Sequence, residues 1–265
     1  AGAPQEIFRV NSLGTFNIFQ AAAEAGITRV VQASSINASG QFYGLKPAPL
    51  CYLPLDEDHP VTSTDPYSFT KHIIEEIGEY FWRREGISSL ALRLPYVAPV
   101  HFREIARQNS IRIQTLVETL LKRPVEDRLL WFQTAWDGYN SFRAGRPYEI
   151  LGYARKAISN MPDDQRSMFA TMMNRVNFFT YVDERDSAQA FEKGLTAIFK
   201  GSHNLFINDS RNWTGVESKL LAELFYPDVK VFKRELKDNE TLVSIDKARQ
   251  LIGYEPEFTF GNQPE

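Results

Sequence analysis

Helix-like and strand-like segments alternate through the first part of the chain, and this alternation constrains the fold more than any other feature. Apolar residues recur every three or four positions from Ile7 to Ala25, which indicates a helix, and Gly26 follows as a stop signal. Residues 27–33 have the apolar character of a short buried strand. A further helix and strand follow at the spacing of parallel βαβ units, so we predict an α/β fold.

The second helix of this series has clear start and stop signals. Asp65 is a good N-cap, Pro66 suits the first helical position, and the apolar pattern continues to about Glu85 before Gly86 ends it. Residues 87–94 form the next predicted strand. The sequence therefore predicts a parallel sheet flanked by helices, with a smaller C-terminal region.

The charge and cysteine content argue against several classes of protein. A formal net charge of −3 over 265 residues gives no basic field to attract nucleic acid. Cys51 has no cysteine partner for an internal disulfide and is a poor metal ligand, which fits a reducing compartment. No apolar run approaches the ~20 residues needed to cross a bilayer, and residues 1–6 lack the order of a signal peptide. We expect a cytoplasmic protein without a metal, a membrane or a nucleic-acid partner.

Residues 103–177 differ in composition from the rest of the chain. They carry 12 Lys/Arg against 8 Asp/Glu, whereas the other residues carry 18 against 25. We predict helices at about 103–123 and 163–174, separated by an aromatic-rich part. Its aromatic residues are Trp131, Phe132, Trp136, Tyr139, Phe142, Tyr148 and Tyr153. Two interpretations stay open, namely a helical subdomain with its own aromatic core and a lid whose arginines meet an anionic substrate.

The C-terminal part alternates again between strands and helices. The predicted elements are strands at 177–182 and 203–207 and helices at 184–199 and 245–251. Thr214 and Glu217 have the spacing of a capping box for one more helix, which runs to about Leu224. We therefore divide the chain into residues 1–100, 101–177 and 178–265.

Tyr67 and Lys71 are four residues apart on the second predicted helix, so their side chains share one face. A tyrosine with an ordinary pKa near ~10 is a poor base at neutral pH, but a neighbouring cation and a helix N-terminus both favour its phenolate. Ser35 lies just past the first predicted strand, at the sheet edge where open α/β folds bind ligands. Because the spacing of Tyr67 and Lys71 also arises by chance, the assignment depends on further motifs.

Seven motifs follow one another along residues 1–100 and 177–258. They are Asn11-Ser12-Leu13-Gly14-Thr15, Ser34-Ser35, Asp65-Pro66-Tyr67-Ser68-Phe69-Thr70-Lys71, Leu92-Arg93-Leu94-Pro95-Tyr96-Val97, Tyr181-Val182-Asp183-Glu184-Arg185-Asp186, Asp246-Lys247-Ala248 and Leu251-Ile252-Gly253-Tyr254-Glu255-Pro256. In residue type and order the chain resembles the extended short-chain dehydrogenases/reductases, and within them the NAD-dependent sugar epimerase/dehydratase family.

The resemblance implies a Rossmann-like fold, NAD or NADP as cofactor, and a sugar or nucleotide-sugar substrate. By this resemblance Tyr67 is the general base, Lys71 holds the nicotinamide ribose, and Ser35 hydrogen-bonds the reacting hydroxyl. Asn11 has a supporting role near the cofactor. The other assigned residues are Ala33, Ser34, Pro95, Tyr96 and Val97 on the cofactor side and Asn37 and Tyr181 on the substrate side. The helix that carries Tyr67 often pairs in this family, so a homodimer is expected.

The sequence departs from the family pattern in its missing glycine turn and in residues 103–177, for which the family offers no counterpart. No Gly-x-x-Gly-x-x-Gly turn is present to hold a pyrophosphate, so the fold is expected to be incomplete at its N-terminus, with about three strands missing. We therefore expect this chain alone to bind NAD(P) weakly or not at all and to show no turnover. Ile36 and Asn37 stand where sugar dehydratases carry an Asp-Glu pair, which disfavours dehydration.

These observations lead to two expectations about function. The first is an NAD(P)-dependent epimerase or dehydrogenase of a sugar or nucleotide sugar, impaired in this chain. The alternative is a non-catalytic remnant that acts as a binding or interaction module.

Overall fold

Helices cover both faces of a small parallel sheet. A computed structural model describes residues 3–145 and 158–259. The strands are β1 (Arg29–Ser35), β2 (Ser88–Leu94), β3 (Tyr96–Ala98), β4 (Tyr181–Asp183) and β5 (Ser202–Phe206). One parallel sheet has the order β1-β2-β5, and β3 pairs in parallel with β4. This architecture confirms the predicted α/β fold.

The first predicted helix is interrupted by a single π-helical turn. α1 (Pro4–Phe8) continues through this turn (Arg9–Leu13) into α2 (Gly14–Glu24). The other helices are α3 (Pro66–Glu85), α4 (Arg103–Leu121), α5 (Val125–Gly145), α6 (Asp163–Val176), α7 (Glu184–Thr196), α8 (Ser218–Phe225) and α9 (Asp246–Ile252). Short 3₁₀ turns follow β1 at Ile36–Ser39 and precede α4 at Val100–Phe102.

The second predicted helix is confirmed as α3. The Asp65 carboxylate accepts a hydrogen bond from the Ser68 backbone N–H at 2.8 Å, and Gly86 ends the helix with a φ of 70°. The first strand lies two residues later than predicted, because its pairing with β2 continues to Ser35, opposite Leu94. Ser35 is therefore the last residue of β1, and not a residue beyond it.

Two glycines let helices approach the sheet closely on opposite faces. A Cβ at Gly78 in α3 would lie 2.7 Å from Ser89 Oγ, and one at Gly194 in α7 would lie 2.9 Å from Leu90 Cδ1. Ser89 and Leu90 are consecutive residues of β2, so their side chains point to opposite faces. α3 and α7 therefore enclose the sheet between them.

Residues 103–177 and the C-terminal region share one hydrophobic core. α5 is a helix that the sequence does not predict, and its Trp131 belongs to the same cluster of buried side chains as Trp213 and Phe225. The ring centroids of Trp131 and Phe225 lie 6.1 Å apart. The aromatic side chains of the segment thus do not form a core of their own.

Two predictions in the C-terminal region are wrong. The strand starts four residues later than predicted, at Tyr181, because Phe178 and Phe179 have positive φ angles of 56° and 48° that a strand does not admit. Thr214 does not cap a helix, since its side chain bonds within the preceding loop and the helix begins at Ser218.

The remaining helices agree with the sequence apart from their ends. The predictions at 103–123, 163–174 and 245–251 correspond to α4, α6 and α9, and the one at 184–199 corresponds to α7, which ends at Thr196. Tyr148 and Tyr153, two of the predicted aromatic residues, lie outside the described residues. Among the helices that the structure describes, none has the length and apolar character that crossing a bilayer requires.

Candidate active site

The carboxyl end of β1, the start of α3 and the turn after β2 surround a cavity of about 490 Å³. The residues that line it are Ser35, Ile36, Asn37, Phe42, Tyr43, Tyr67, Pro95, Tyr96, Val97, Phe102, Met173, Asn174, Asn177 and Tyr181. Six of these side chains are aromatic, and no charged side chain is among the lining residues that the structure describes. The structure thus brings Ser35 and Tyr67 to one cavity, which we call the Ser35 cavity.

Ser35 is held by the turn that follows it. It is 5% exposed, and its Oγ accepts hydrogen bonds from the backbone N–H and from Nδ2 of Asn37, each at 3.1 Å. Gly40 ends the turn with a φ of 88°, where a Cβ would lie 2.7 Å from the Ser63 backbone nitrogen. Because two donors occupy the lone pairs of Ser35 Oγ, its own O–H is left to donate.

Lys71 lies one helical turn from Tyr67, as its spacing predicts. Its Nζ donates a hydrogen bond to the Ala33 carbonyl at 2.8 Å and lies 5.7 Å from the centroid of the Tyr67 ring. Burial lowers the pKa of Lys71, and the nearby Glu75 carboxylate opposes this effect only in part. The Tyr67 ring also packs edge to face on Tyr43, with ring centroids 5.3 Å apart.

Lys71 also lines a second cavity, of about 450 Å³, between α1–α2 and β1. Asn11 and Ala33 line this groove as well, so three predicted cofactor residues meet there. Asn11 lies in the π-helical turn, and its Nδ2 donates to Thr70 Oγ1 at 2.9 Å. Thr70 Oγ1 in turn donates to the Tyr67 carbonyl at 2.8 Å. Asn11 therefore connects this second cavity, which we call the Lys71 groove, to the start of α3.

Ser34 is not brought to either cavity. Its Oγ donates to Glu75 Oε1 at 2.8 Å, and the same carboxylate accepts two hydrogen bonds from Arg93, at 2.9 Å and 2.8 Å. Burial raises the pKa of Glu75, but the charge and hydrogen bonds of Arg93, the hydrogen bond from Ser34 and the His72 ring 4.0 Å away outweigh it, so this pKa lies below its ordinary value. The buried network joins β1, α3 and β2 directly behind the site.

The turn after β2 and the start of β4 form another wall of the Ser35 cavity. Pro95, Tyr96 and Val97 line it, as do Asn37 and Tyr181. Tyr96 is half exposed and its ring centroid lies 5.8 Å from that of Tyr181. Burial raises the pKa of the Tyr181 phenol far above its ordinary range, so this hydroxyl stays protonated.

Residues 1–136 match the model of the NAD dependent epimerase/dehydratase family, a match that covers half of the chain. The chain belongs to this family. A relative from Methanocaldococcus jannaschii, provisionally named UDP-glucose 4-epimerase, is 38% identical over 84 residues, or 32% of this chain and 25% of that protein. The matched part of the chain thus spans about a quarter of the length of this curated relative.

Solved structures of the same kind share the fold. UDP-glucose 4-epimerase from Thermotoga maritima, solved with UDP-glucose, gives a TM-score of 0.50 at 16% identity, covering 97% of this chain and 67% of that one. A short-chain dehydrogenase/reductase superfamily protein from Agrobacterium tumefaciens, solved with bound NAD, gives a TM-score of 0.50 at 16% identity, covering 97% and 70%. The Rossmann-like α/β fold is therefore confirmed.

The arginines of residues 103–177 do not line the Ser35 cavity of this family member, as far as the structure describes them. Arg143 and Arg175 are buried, and both lie over the ring of Trp136. Arg112 and Arg166 line a different cavity of about 810 Å³, next to the first and sharing Asn174 with it. The described arginines therefore lie beside the Ser35 cavity and not in its wall, and the interpretation of the segment as a lid whose arginines meet an anionic substrate stays a prediction.

The same segment nevertheless contributes to the Ser35 cavity. Met173 and Asn174 from α6 and Asn177 just after it line the same cavity as Tyr67 of α3. No sequence motif identifies these three residues as part of a site. Met173 and Asn174 are consecutive in the predicted helix, and the sequence signals no more than that about them. Glu75 was also not predicted, although Tyr67, Lys71 and Glu75 follow each other at intervals of four on α3.

Proposed function

We propose that this site oxidises a secondary alcohol of a sugar or nucleotide sugar with NAD or NADP, as an epimerase or a dehydrogenase. One observation carries the proposal: Ser35 and Tyr67 line one cavity, and Lys71, beside Tyr67, lines the adjoining groove. In this proposal residues 1–100 supply the reacting groups, and residues 101–177 and 178–265 supply the far wall of the substrate site.

Tyr67 takes the proton of the reacting hydroxyl onto its phenol oxygen. The Ser35 O–H donates a hydrogen bond to the substrate oxygen, because both acceptor positions of Ser35 are used by Asn37. This donor is fixed before the substrate arrives, and it stabilises the negative charge that develops on the oxygen. The ammonium of Lys71 stabilises negative charge on Tyr67 from the other side.

The residues of the Lys71 groove fit a nicotinamide dinucleotide. An ammonium has three N–H donors, and Lys71 uses one on the Ala33 carbonyl, so two remain to bind ribose hydroxyls. Asn11 lines the same groove, and Pro95 to Val97 would meet the nicotinamide end from the Ser35 cavity. When bound, the nicotinamide supplies the acceptor for the hydride.

The cavity beside the site favours a substrate with an anionic part. Arg112 and Arg166 line it, together with Asp163, which lies 3.2 Å from Arg166. A diphosphate there would place the attached sugar towards Asn174, which belongs to both cavities. This arrangement supports a nucleotide sugar over a free sugar.

The name of the Methanocaldococcus relative favours an epimerase, which returns the hydride to the other face of the ketone. A dehydrogenase would instead release the ketone or lactone. Dehydration requires an acid and a base beside the keto intermediate. Ile36 and Asn37 stand at the positions concerned, and no carboxylate is among the described lining residues.

Formation of reduced nicotinamide in the presence of sugar nucleotides tests the proposal. We expect the 265-residue chain alone to bind NAD weakly, because it holds no glycine-rich turn to bind a pyrophosphate. A chimera with a glycine-rich βαβ unit placed ahead of residue 1 is expected to reduce bound NAD. A chimera that binds NAD and a sugar nucleotide but forms no reduced nicotinamide would instead support the non-catalytic binding module.

A further inference from the structure

The Ser35 cavity offers no described charge to a ligand, although charged groups lie close by. Lys71 turns its ammonium to the Ala33 carbonyl and the Lys71 groove, and Arg103 lies 3.8 Å from the Asp183 carboxylate. Arg93 is used by Glu75 behind β1. These three cations are thus either paired or directed elsewhere, and the wall of the cavity, as far as the structure describes it, is built of neutral groups.

We infer that the reacting ring of the substrate is an uncharged sugar, and that the site discriminates against a uronate, the same sugar with a carboxylate. This inference rests on the proposed function and narrows its substrate class. A carboxylate moved from water into a neutral cavity loses its hydration without gaining a cation, which opposes binding. Sugar hydroxyls need only hydrogen-bond partners.

Three asparagine side chains supply those partners, and in all three the amide nitrogen donates a hydrogen bond within the protein. Their Nδ2 groups donate within the protein: Asn37 to Ser35 Oγ at 3.1 Å, Asn174 to the Ala170 carbonyl at 2.9 Å, and Asn177 to the Thr180 carbonyl at 2.9 Å. Each amide therefore keeps its oxygen and its second N–H to bind a ligand. These neutral amides suit sugar hydroxyls, which both donate and accept, and none of them supplies the positive charge that a buried carboxylate requires.

Asn37 has the strongest reason to bind a ligand. It is 8% exposed, and its Oδ1 has no hydrogen-bond partner among the described residues. Leaving a buried acceptor without a donor is unfavourable. A sugar hydroxyl next to the one bound by Ser35 is the donor that we assign to it, because the same asparagine holds Ser35 in place. Asn37 is thus a positioning and specificity residue for two neighbouring hydroxyls.

Calorimetric titration of the chain with UDP-glucose, UDP-glucuronate and UDP tests the inference. UDP-glucose is expected to bind at least about tenfold more tightly than UDP-glucuronate, a ratio that corresponds to one unfavourable buried charge. Equal affinities, or tighter binding of the uronate, would overturn the inference and leave the proposed function standing. If neither sugar nucleotide binds more tightly than UDP, the sugar site itself is wrong, and both proposals fail.

A gain of uronate binding provides a second test. Met173 lines the cavity and is half buried, so Met173→Arg introduces a cation of similar length without removing a described hydrogen bond. The variant is expected to bring the affinity ratio of the two sugar nucleotides to about one or to reverse it. Met173→Gln, which has no charge, is the matched control and should keep the original preference.

Tyr96→Arg is the alternative if Met173→Arg does not fold, since Tyr96 is 51% exposed and tolerates a longer side chain. Circular dichroism verifies the fold of each variant before titration. An unchanged preference for UDP-glucose in both folded arginine variants would show that charge in this cavity does not decide the substrate, and the inference would be wrong.

Discussion

The two walls of the Ser35 cavity are built in different ways. One wall, which we call the motif wall, contains Ser35 at the end of β1 and Tyr67 near the start of α3. Both residues belong to sequence motifs in regular secondary structure. The other wall, which we call the α6 wall, contains Asn174 at the end of α6 and Asn177 in the turn after it. These residues lie in a segment without sequence motifs. Under the proposed function, the motif wall supplies the reacting groups, and the α6 wall contributes to the choice of substrate together with Asn37.

The largest effect is expected on the motif wall. Tyr67→Phe removes the proton acceptor and should lower the rate of nicotinamide reduction by about a thousandfold, within the usual range for a general base. Binding of UDP-glucose should change by less than about threefold, because one hydroxyl is lost from a large contact surface. Stopped-flow absorbance of the NAD-binding chimera measures the rate, and calorimetry measures the binding.

Tyr80→Phe is the control for this substitution, since Tyr80 lies on the exposed part of α3 and outside both cavities. It should leave the rate unchanged. If Tyr67→Phe kept more than about a tenth of the rate, a general-base role for Tyr67 would be excluded and the contrast between the two walls would disappear.

The buried pair of Glu75 and Arg93 behind the motif wall should have a large effect on the free energy of unfolding. Glu75→Ala leaves Arg93 buried without its carboxylate, and removal of one partner of such a pair costs about 3–5 kcal/mol of the free energy of unfolding. Glu79→Ala removes the exposed partner of Arg83 and should cost no more than about 1 kcal/mol. Urea denaturation compares the two variants, and equal losses would contradict the structural role of the buried pair.

A smaller loss of stability is expected behind the α6 wall. Arg175 donates to the Phe225 carbonyl at 2.6 Å and binds Asp228, and its guanidinium lies 4.0 Å from the centroid of Trp136. Arg175→Leu should lower the free energy of unfolding by about 2–3 kcal/mol, the range for charge-assisted hydrogen bonds. Because Asp228 is partly exposed, it is rehydrated in the variant, which keeps this loss below that of Glu75→Ala.

Arg107→Leu is the matched control for Arg175→Leu, since Arg107 forms an exposed pair with Glu104 and should contribute little. Nicotinamide reduction by the same chimera should also retain the native rate in Arg175→Leu. A loss of catalytic rate as large as that of Tyr67→Phe would show that α6 takes part in the reaction itself.

The smallest effect concerns acid pH. The pKa of Glu75 in the folded chain lies below its ordinary value of 4.5, so the carboxylate stabilises the fold above that value. This contribution is lost as the pH falls from about 4.5 through the lower pKa of the folded state. Thermal unfolding between neutral and acid pH should therefore show a steeper loss for the native chain than for Glu75→Gln. Parallel curves would exclude Glu75 as a source of acid sensitivity.

The sequence predicts the motif wall well because its positions depend on local rules. Asp65, Pro66 and Gly86 fix the ends of α3, and the helical period then places Tyr67 and Lys71 on one face. Ser34 was predicted to bind the cofactor, but its side chain donates to Glu75 instead. Whether its side chain faces a cavity or Glu75 depends on the pleat and on the packing of α3.

The α6 wall could not be predicted, because it depends on contacts between residues far apart in the chain. α5 buries Trp131 against Phe225, and such packing leaves no local period that identifies the element. The left-handed backbone at Phe178 and Phe179 has no glycine to signal it, although it directs the chain from α6 into β4. The burial of Arg143 and Arg175 could not be predicted either, because composition does not distinguish a paired cation from an exposed one.

A crystal structure of the chain with UDP-glucose is the most direct test of the central claim that Ser35 and Tyr67 act together on one sugar hydroxyl. We expect a single oxygen substituent of the sugar ring within hydrogen-bond distance of both Ser35 Oγ and the Tyr67 hydroxyl, below about 3.2 Å to each. A second hydroxyl should meet Asn37 Oδ1. A sugar ring bound outside this cavity, or a Tyr67 hydroxyl bonded away from the substrate oxygen that Ser35 contacts, would contradict the account.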